Sequence, residues 1–116
     1  LNFDRVNIDF IEGNTYKLEF EPLSFKIDVG FIDCDHSYKG VMNDYEMLKK
    51  IGSDDLILIF DDYGLPEETP SVKVAVDFLI KENKLKLLKY VGEPAGNEPR
   101  IGRKLIDWEG VICQVI

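Results

Sequence analysis

Histidine occurs once in these 116 residues and cysteine twice. Two cysteines cannot build the disulfide framework of a small secreted scaffold. They suit a reducing compartment, so the expected location is cytoplasmic. No apolar run approaches the ~18 residues needed to span a bilayer. The opening LNFDRVNIDF lacks the basic-then-apolar order of a secretory signal. It begins on Leu1 rather than Met, from which we expect the natural chain to start earlier. Basic residues are scarce beside acidic ones, 14 against 22, for a net charge of −8. An acidic surface is not drawn to phosphate backbones or anionic bilayers, so neither nucleic acid nor a membrane is an expected partner. Its plainest role is solubility. Repeats and low-complexity segments are absent. So is any G-x-G cluster, since Gly13, Gly30, Gly40 and Gly52 stand apart.

What is present is a globular composition, 45% hydrophobic and 31% charged, at a length that suits one domain over residues 1–116. Residues 6–11 (VNIDFI) alternate and are β-branched, which predicts a strand, followed by a turn at 12–15. Residues 16–25 fit a short helix or an irregular crossover. Residues 27–33 (IDVGFID) predict a second strand. Residues 37–51 predict a helix, with Val41, Tyr45 and Leu48 on one stripe, Met42 widening it and Gly52 at the cap position. The run LILIF at 56–60 is apolar on both faces, as in a buried parallel strand. Thr69, Pro70 and Ser71 offer a cap and a first-turn proline for a helix whose stripe is Val72, Ala75, Val76, Leu79 and Ile80. Strands follow at 85–91 and 111–115, separated by a Gly/Pro loop at 92–103 and a turn at Glu109–Gly110. Alternating strands and helices predict an α/β fold with a parallel sheet. The last two strands have no helix between them and are expected to be antiparallel.

Ligands of open α/β sheets bind beyond the carboxyl ends of the strands. There the second strand ends in Asp33-Cys34-Asp35-His36-Ser37, and the third in Asp61-Asp62-Tyr63-Gly64. One strand-end aspartate is ordinary turn chemistry. If the two strands are neighbours, four carboxylates and the sole histidine converge on one rim; the like charges of the carboxylates repel unless neutralised, and a hard cation such as Mg²⁺ would do that. A histidine in such company can act as a general base near neutral pH. Cys34 reads as a packing residue rather than a nucleophile, because no second histidine exists to activate it. Tyr38 and Tyr63, near the same rim, are also assigned to packing.

The stretch FIDCDHSYKGVMNDYEMLKKIGSDDLILIFDDYG resembles class I S-adenosylmethionine-dependent methyltransferases, in the branch carrying "FIDGDHSYEGV" and a later "FDDY". SVKVAVDFLI resembles the "GVKKAVDEF" helix that follows in that branch. The resemblance implies a Rossmann-like sheet of which this chain is the C-terminal part, with residues 6–11 as its third strand. It implies methyl transfer to a hydroxyl oxygen of a small molecule, with Mg²⁺ on Asp33, Asp61 and Asp62 and His36 as general base. It also implies S-adenosylmethionine as cofactor, near Asp33 and with Asn14 at the adenine ring, and it admits a homodimer. The glycine-rich loop after the first strand and the ribose-binding acid after the second have no counterpart here. The expectation is therefore a fragment that is inactive alone, its sheet gapped beside the strand at 27–33.

Three other readings compete. Asp33-x-Asp35-x-Ser37 resembles the D-x-D-x-T motif of haloacid-dehalogenase-like phosphatases, with Asp61–Asp62 as a late acidic pair, although the two motifs are close together. Asp33-x-Asp35 alone matches a glycosyltransferase D-x-D. A half-domain can also serve as a non-catalytic interaction module.

Overall fold

The computed structural model describes residue 8 and residues 10–17, 26–66, 71–99 and 102–116. Among these residues four strands and two helices follow in the order β1 (Ile27–Ile32), α1 (Tyr38–Ile51), β2 (Gly52–Phe60), α2 (Val72–Lys81), β3 (Leu85–Val91) and β4 (Gly110–Val115). The strands form one mixed sheet in the spatial order β1-β2-β4-β3. β1 and β2 are parallel, with Gly30 opposite Leu58 and Ile32 opposite Phe60. β4 is antiparallel to β2 and to β3, and lies between them. The expected antiparallel pairing of the last two strands is therefore present. Half of the strand predicted at 6–11 lies outside the described residues, and the other half, Ile8, Phe10 and Ile11, carries no strand pairing.

Helical periodicity decides which face of α1 is buried. Val41 and Tyr45 are fully covered, while Met42 and Leu48 pack at the margin of the core. Ser37 caps the helix, its Oγ accepting the Gly40 N–H at 3.0 Å; such caps contribute about 1 kcal/mol. At the other end Gly52 caps as expected by position, but in extended rather than left-handed geometry. It opens β2 directly, so that strand begins four residues before the apolar run 56–60. α2 buries Val72, Ala75, Val76 and Leu79 as its stripe predicts. Its N-cap is Ser71, whose side chain makes no capping bond, and Thr69 and Pro70 lie outside the described residues. Residues 109–110 are not a turn: the Glu109 N–H donates to the Glu93 carbonyl, and Gly110 enters β4.

The core is built from Leu56, Leu58 and Phe60 of β2, Val111 and Cys113 of β4, and the apolar stripes of both helices. α1 and α2 touch each other and the same sheet. Close approach of α1 depends on Gly30. A Cβ there would lie 2.8 Å from the Leu58 side chain and 2.9 Å from that of Leu48. Cys113 is buried, and desolvation followed by the charge of Asp77 pushes its thiol up to about 11. Cys34, expected to pack, is instead an exposed free thiol.

Candidate functional site

Parallel pairing of β1 with β2 puts their carboxyl ends side by side, and the Asp61 N–H closes the pair by donating to the Ile32 carbonyl at 3.1 Å. Asp33 and His36 therefore leave β1 next to Asp61 and Asp62 leaving β2. Two local devices fix His36. Asp35 accepts the Ser37 N–H at 2.9 Å, and Ser37 in turn caps α1, so the turn carrying His36 is tied at both ends. The Ser37 N–H and hydroxyl, and then the Tyr16 hydroxyl, hold the Asp35 carboxyl below its ordinary range.

Asp62 is buried and takes a left-handed backbone, φ 58°. That region costs most non-glycine residues about 1–2 kcal/mol and is visited by aspartate more readily than by most. The Asp62 N–H is taken by the Asp61 carboxylate at 2.9 Å. The turn aims the Asp62 carboxylate at the histidine, with His36 Nε2 2.9 Å from Asp62 Oδ2 and 4.0 Å from Asp33 Oδ1. Among the described residues, ligand atoms of Asp33, His36 and Asp62 lie within 4.8 Å of one another, a spread that one divalent cation can bridge. Hard divalent cations take oxygen ligands, so of these three residues Asp33 and Asp62 are the ones whose carboxylates would hold one. Asp61 borders this group without belonging to it. Asn14 is exposed, and its side-chain oxygen accepts the Tyr16 N–H at 3.0 Å. Its turn is linked to the rim where the Tyr16 hydroxyl donates to Asp35 at 2.8 Å.

The 2.9 Å contact turns Nε2 toward Asp62 and leaves Nδ1 as the ring nitrogen facing away; in a neutral ring protonated on Nε2 the lone pair that can take a proton lies there. A carboxylate on the far nitrogen orients the ring and stabilises the imidazolium that results. The site thus has the parts for proton removal beside a cation-binding rim. The phosphatase-like reading fares worse. Both oxygens of Asp35 serve local structure, and the Ser37 hydroxyl caps the helix.

Behind Asp62 lies a cluster that the sequence reading did not single out. The Tyr63 hydroxyl donates to Asp77 at 2.6 Å. Lys73 donates to the Tyr63 hydroxyl at 2.9 Å, to Asp77 at 3.0 Å and to Asp107 at 2.9 Å. Burial, then the bond to Asp77, pushes the Tyr63 phenol well above its ordinary value. Burial opposes the Lys73 charge, but the bonds to Tyr63, Asp107 and Asp77 prevail and raise it. Burial would likewise raise the Asp107 carboxyl, yet the Lys73 ammonium and the Trp108 N–H hold it low. Tyr63 and Tyr38 are packed as expected, Tyr38 edge-on against Phe78 with ring centroids 6.2 Å apart.

An uncharacterized protein of Acanthamoeba polyphaga mimivirus is 36% identical over 85 residues, covering 70% of this chain and 38% of that relative. The chain therefore spans well under half of the relative's length. No solved structure matches at a significant level. The family model described as "Methyltransferase domain" matches residues 3–63, more than half of the chain, including β1, α1, β2 and all of Asp33, His36, Asp61 and Asp62. The chain belongs to that methyltransferase domain family.

Proposed function

We propose that this segment supplies the cation-binding and proton-transfer rim of an S-adenosylmethionine-dependent methyltransferase acting on a hydroxyl oxygen of a small molecule. Family membership supports methyl transfer in general. The mixed sheet, with β4 antiparallel between β2 and β3, is compatible with part of a Rossmann-like methyltransferase sheet. The observation that carries the finer reading is the 2.9 Å contact of His36 with Asp62, beside Asp33, at the carboxyl ends of adjacent parallel strands.

In this reading Asp33 and Asp62 hold a divalent cation, with Asp61 next to them. Mg²⁺ bound there would supply Lewis-acid chemistry, lowering the pKa of an acceptor hydroxyl. S-adenosylmethionine would supply the methyl group as a sulfonium, with Asn14 and Asp33 on its side of the rim. His36 takes the hydroxyl proton, and Asp62 stabilises the charged ring that forms. The remaining contribution of the chain is to hold two substrates in line. The glycine-rich loop and the ribose-binding acid have no counterpart in these residues, so the complete activity is proposed for a protein in which another segment supplies them.

The sole histidine makes the cation part directly testable. Mn²⁺ should selectively broaden the NMR signals of the His36 ring, and Mg²⁺ should compete it away. Asp33→Ala should weaken the effect strongly. Broadening that is equal in parent and variant removes the metal assignment.

A further inference from the structure

Tyr63 follows Asp62 directly, so whatever fixes Tyr63 fixes the C-terminal side of the left-handed residue. Its ring is buried, its hydroxyl lies between Asp77 and Lys73, and the Lys73 ammonium also sits over the ring, 4.6 Å from the centroid. Lys73 stands in the first turn of α2 and has three donors, each given to a different residue: Tyr63, Asp77 and Asp107. Asp107 in turn accepts the Trp108 N–H at 2.8 Å. The loop carrying these residues grips the backbone around Asp62. The Tyr63 N–H donates to the Glu109 carbonyl, and the Ile106 N–H to the Gly64 carbonyl at 2.8 Å. One ammonium thus joins three pieces of chain, the turn after β2, the start of α2 and the loop before β4, directly behind the carboxylate that faces His36.

We propose that Lys73 is a positioning residue for the His36–Asp62 pair, acting through Tyr63 and Asp107 to hold the Asp62 carboxylate toward the ring. The proposal rests on the functional reading only in taking that pair as the working one. The bonds of Lys73 go to Tyr63, Asp77 and Asp107, so its part is positioning and not catalysis. Its effect passes through backbone geometry. A purely structural lysine would contribute to folding but would leave the ring environment unchanged wherever the fold survives.

The test uses the whole chain and needs no acceptor. The His36 ring gives one set of ¹H–¹⁵N and ¹H–¹³C signals at fixed pH, and Asp62→Asn defines their position when the carboxylate is lost. Lys73→Gln should move them most of the way toward the Asp62→Asn position, and Lys73→Arg, whose guanidinium can reach the same acceptors, should restore them. Leu79→Ala, a core truncation distant from the pair in sequence, should leave them in place. Ring signals of Lys73→Gln that coincide with the parent's, or a Leu79→Ala shift as large, overturn the proposal. If Lys73→Gln does not fold, Tyr63→Phe serves instead: a displacement in the same direction supports positioning, and unchanged signals overturn it. In a separate assay on the protein that carries this segment, a displaced ring with undiminished methyl transfer supports positioning while counting against His36 as the base, so the two readings fail separately.

Discussion

Asp62 is the residue on which the site turns. Its left-handed backbone and buried carboxylate distinguish it from Asp61, whose side chain serves the Asp62 N–H. The sequence marked both as equals, because adjacent aspartates at a strand end carry no signal of which one turns inward. Asp33 and His36 were legible, since the i,i+3 spacing after an apolar strand leaves little choice about which rim they reach. Cys34 was misread: a small residue between two aspartates looks like packing, but its turn faces solvent. Asp44, buried on α1 beside Asn43, gave no signal at all. At this scale we expect His36→Ala, in the protein that carries this segment, to lower turnover by about 10²–10⁴-fold, the usual contribution of a general base. Binding of S-adenosylmethionine, measured by calorimetry, should change little.

At the scale of elements, apolar periodicity located α1, α2 and the core of β2, because burial of one stripe decides each of them. Long-range pairing was less legible. That β4 inserts between β2 and β3 depends on partners distant in sequence, and so does the grip of the 105–109 loop on the turn after β2. Gly64 records that grip, since a Cβ there would lie 2.2 Å from the Asp107 carbonyl oxygen. Gly64→Ala should destabilise by about 1–3 kcal/mol, as overpacked sites do. Leu79→Ala, which empties a fully buried position, should cost about 2–5 kcal/mol in chemical denaturation.

The same loop sets a pH dependence. The Asp107 carboxyl is depressed in the fold, so its contribution is present above the ordinary carboxylate pKa of about 4 and is lost as pH falls below it. Lys73 and Tyr63 are raised, so theirs is present below about pH 10 and is lost as pH rises beyond it. Asp107→Asn should therefore flatten the acid limb of the stability–pH curve; an unchanged limb would show that Asp107 is not held by Lys73.

Among the described residues the two helices pack on each other and on one sheet. Among the described residues β1 is an edge strand, and Val29 and Phe31 are 59% and 60% exposed there. Unpaired edges template association, and the net charge of −8 opposes it. Phe31→Lys should reduce aggregation of the chain on heating, followed by light scattering, while shifting its stability by no more than about 0.5 kcal/mol.

Whether Asp33, His36 and Asp62 form the working rim of a methyltransferase is decided by formation of S-adenosylhomocysteine from S-adenosylmethionine, measured with a panel of small hydroxylated acceptors in the protein that carries this segment. Product should depend on Mg²⁺ and fall steeply in both His36→Ala and Asp62→Asn. Product formed equally well by either variant, or indifferent to chelator, would rule that rim out.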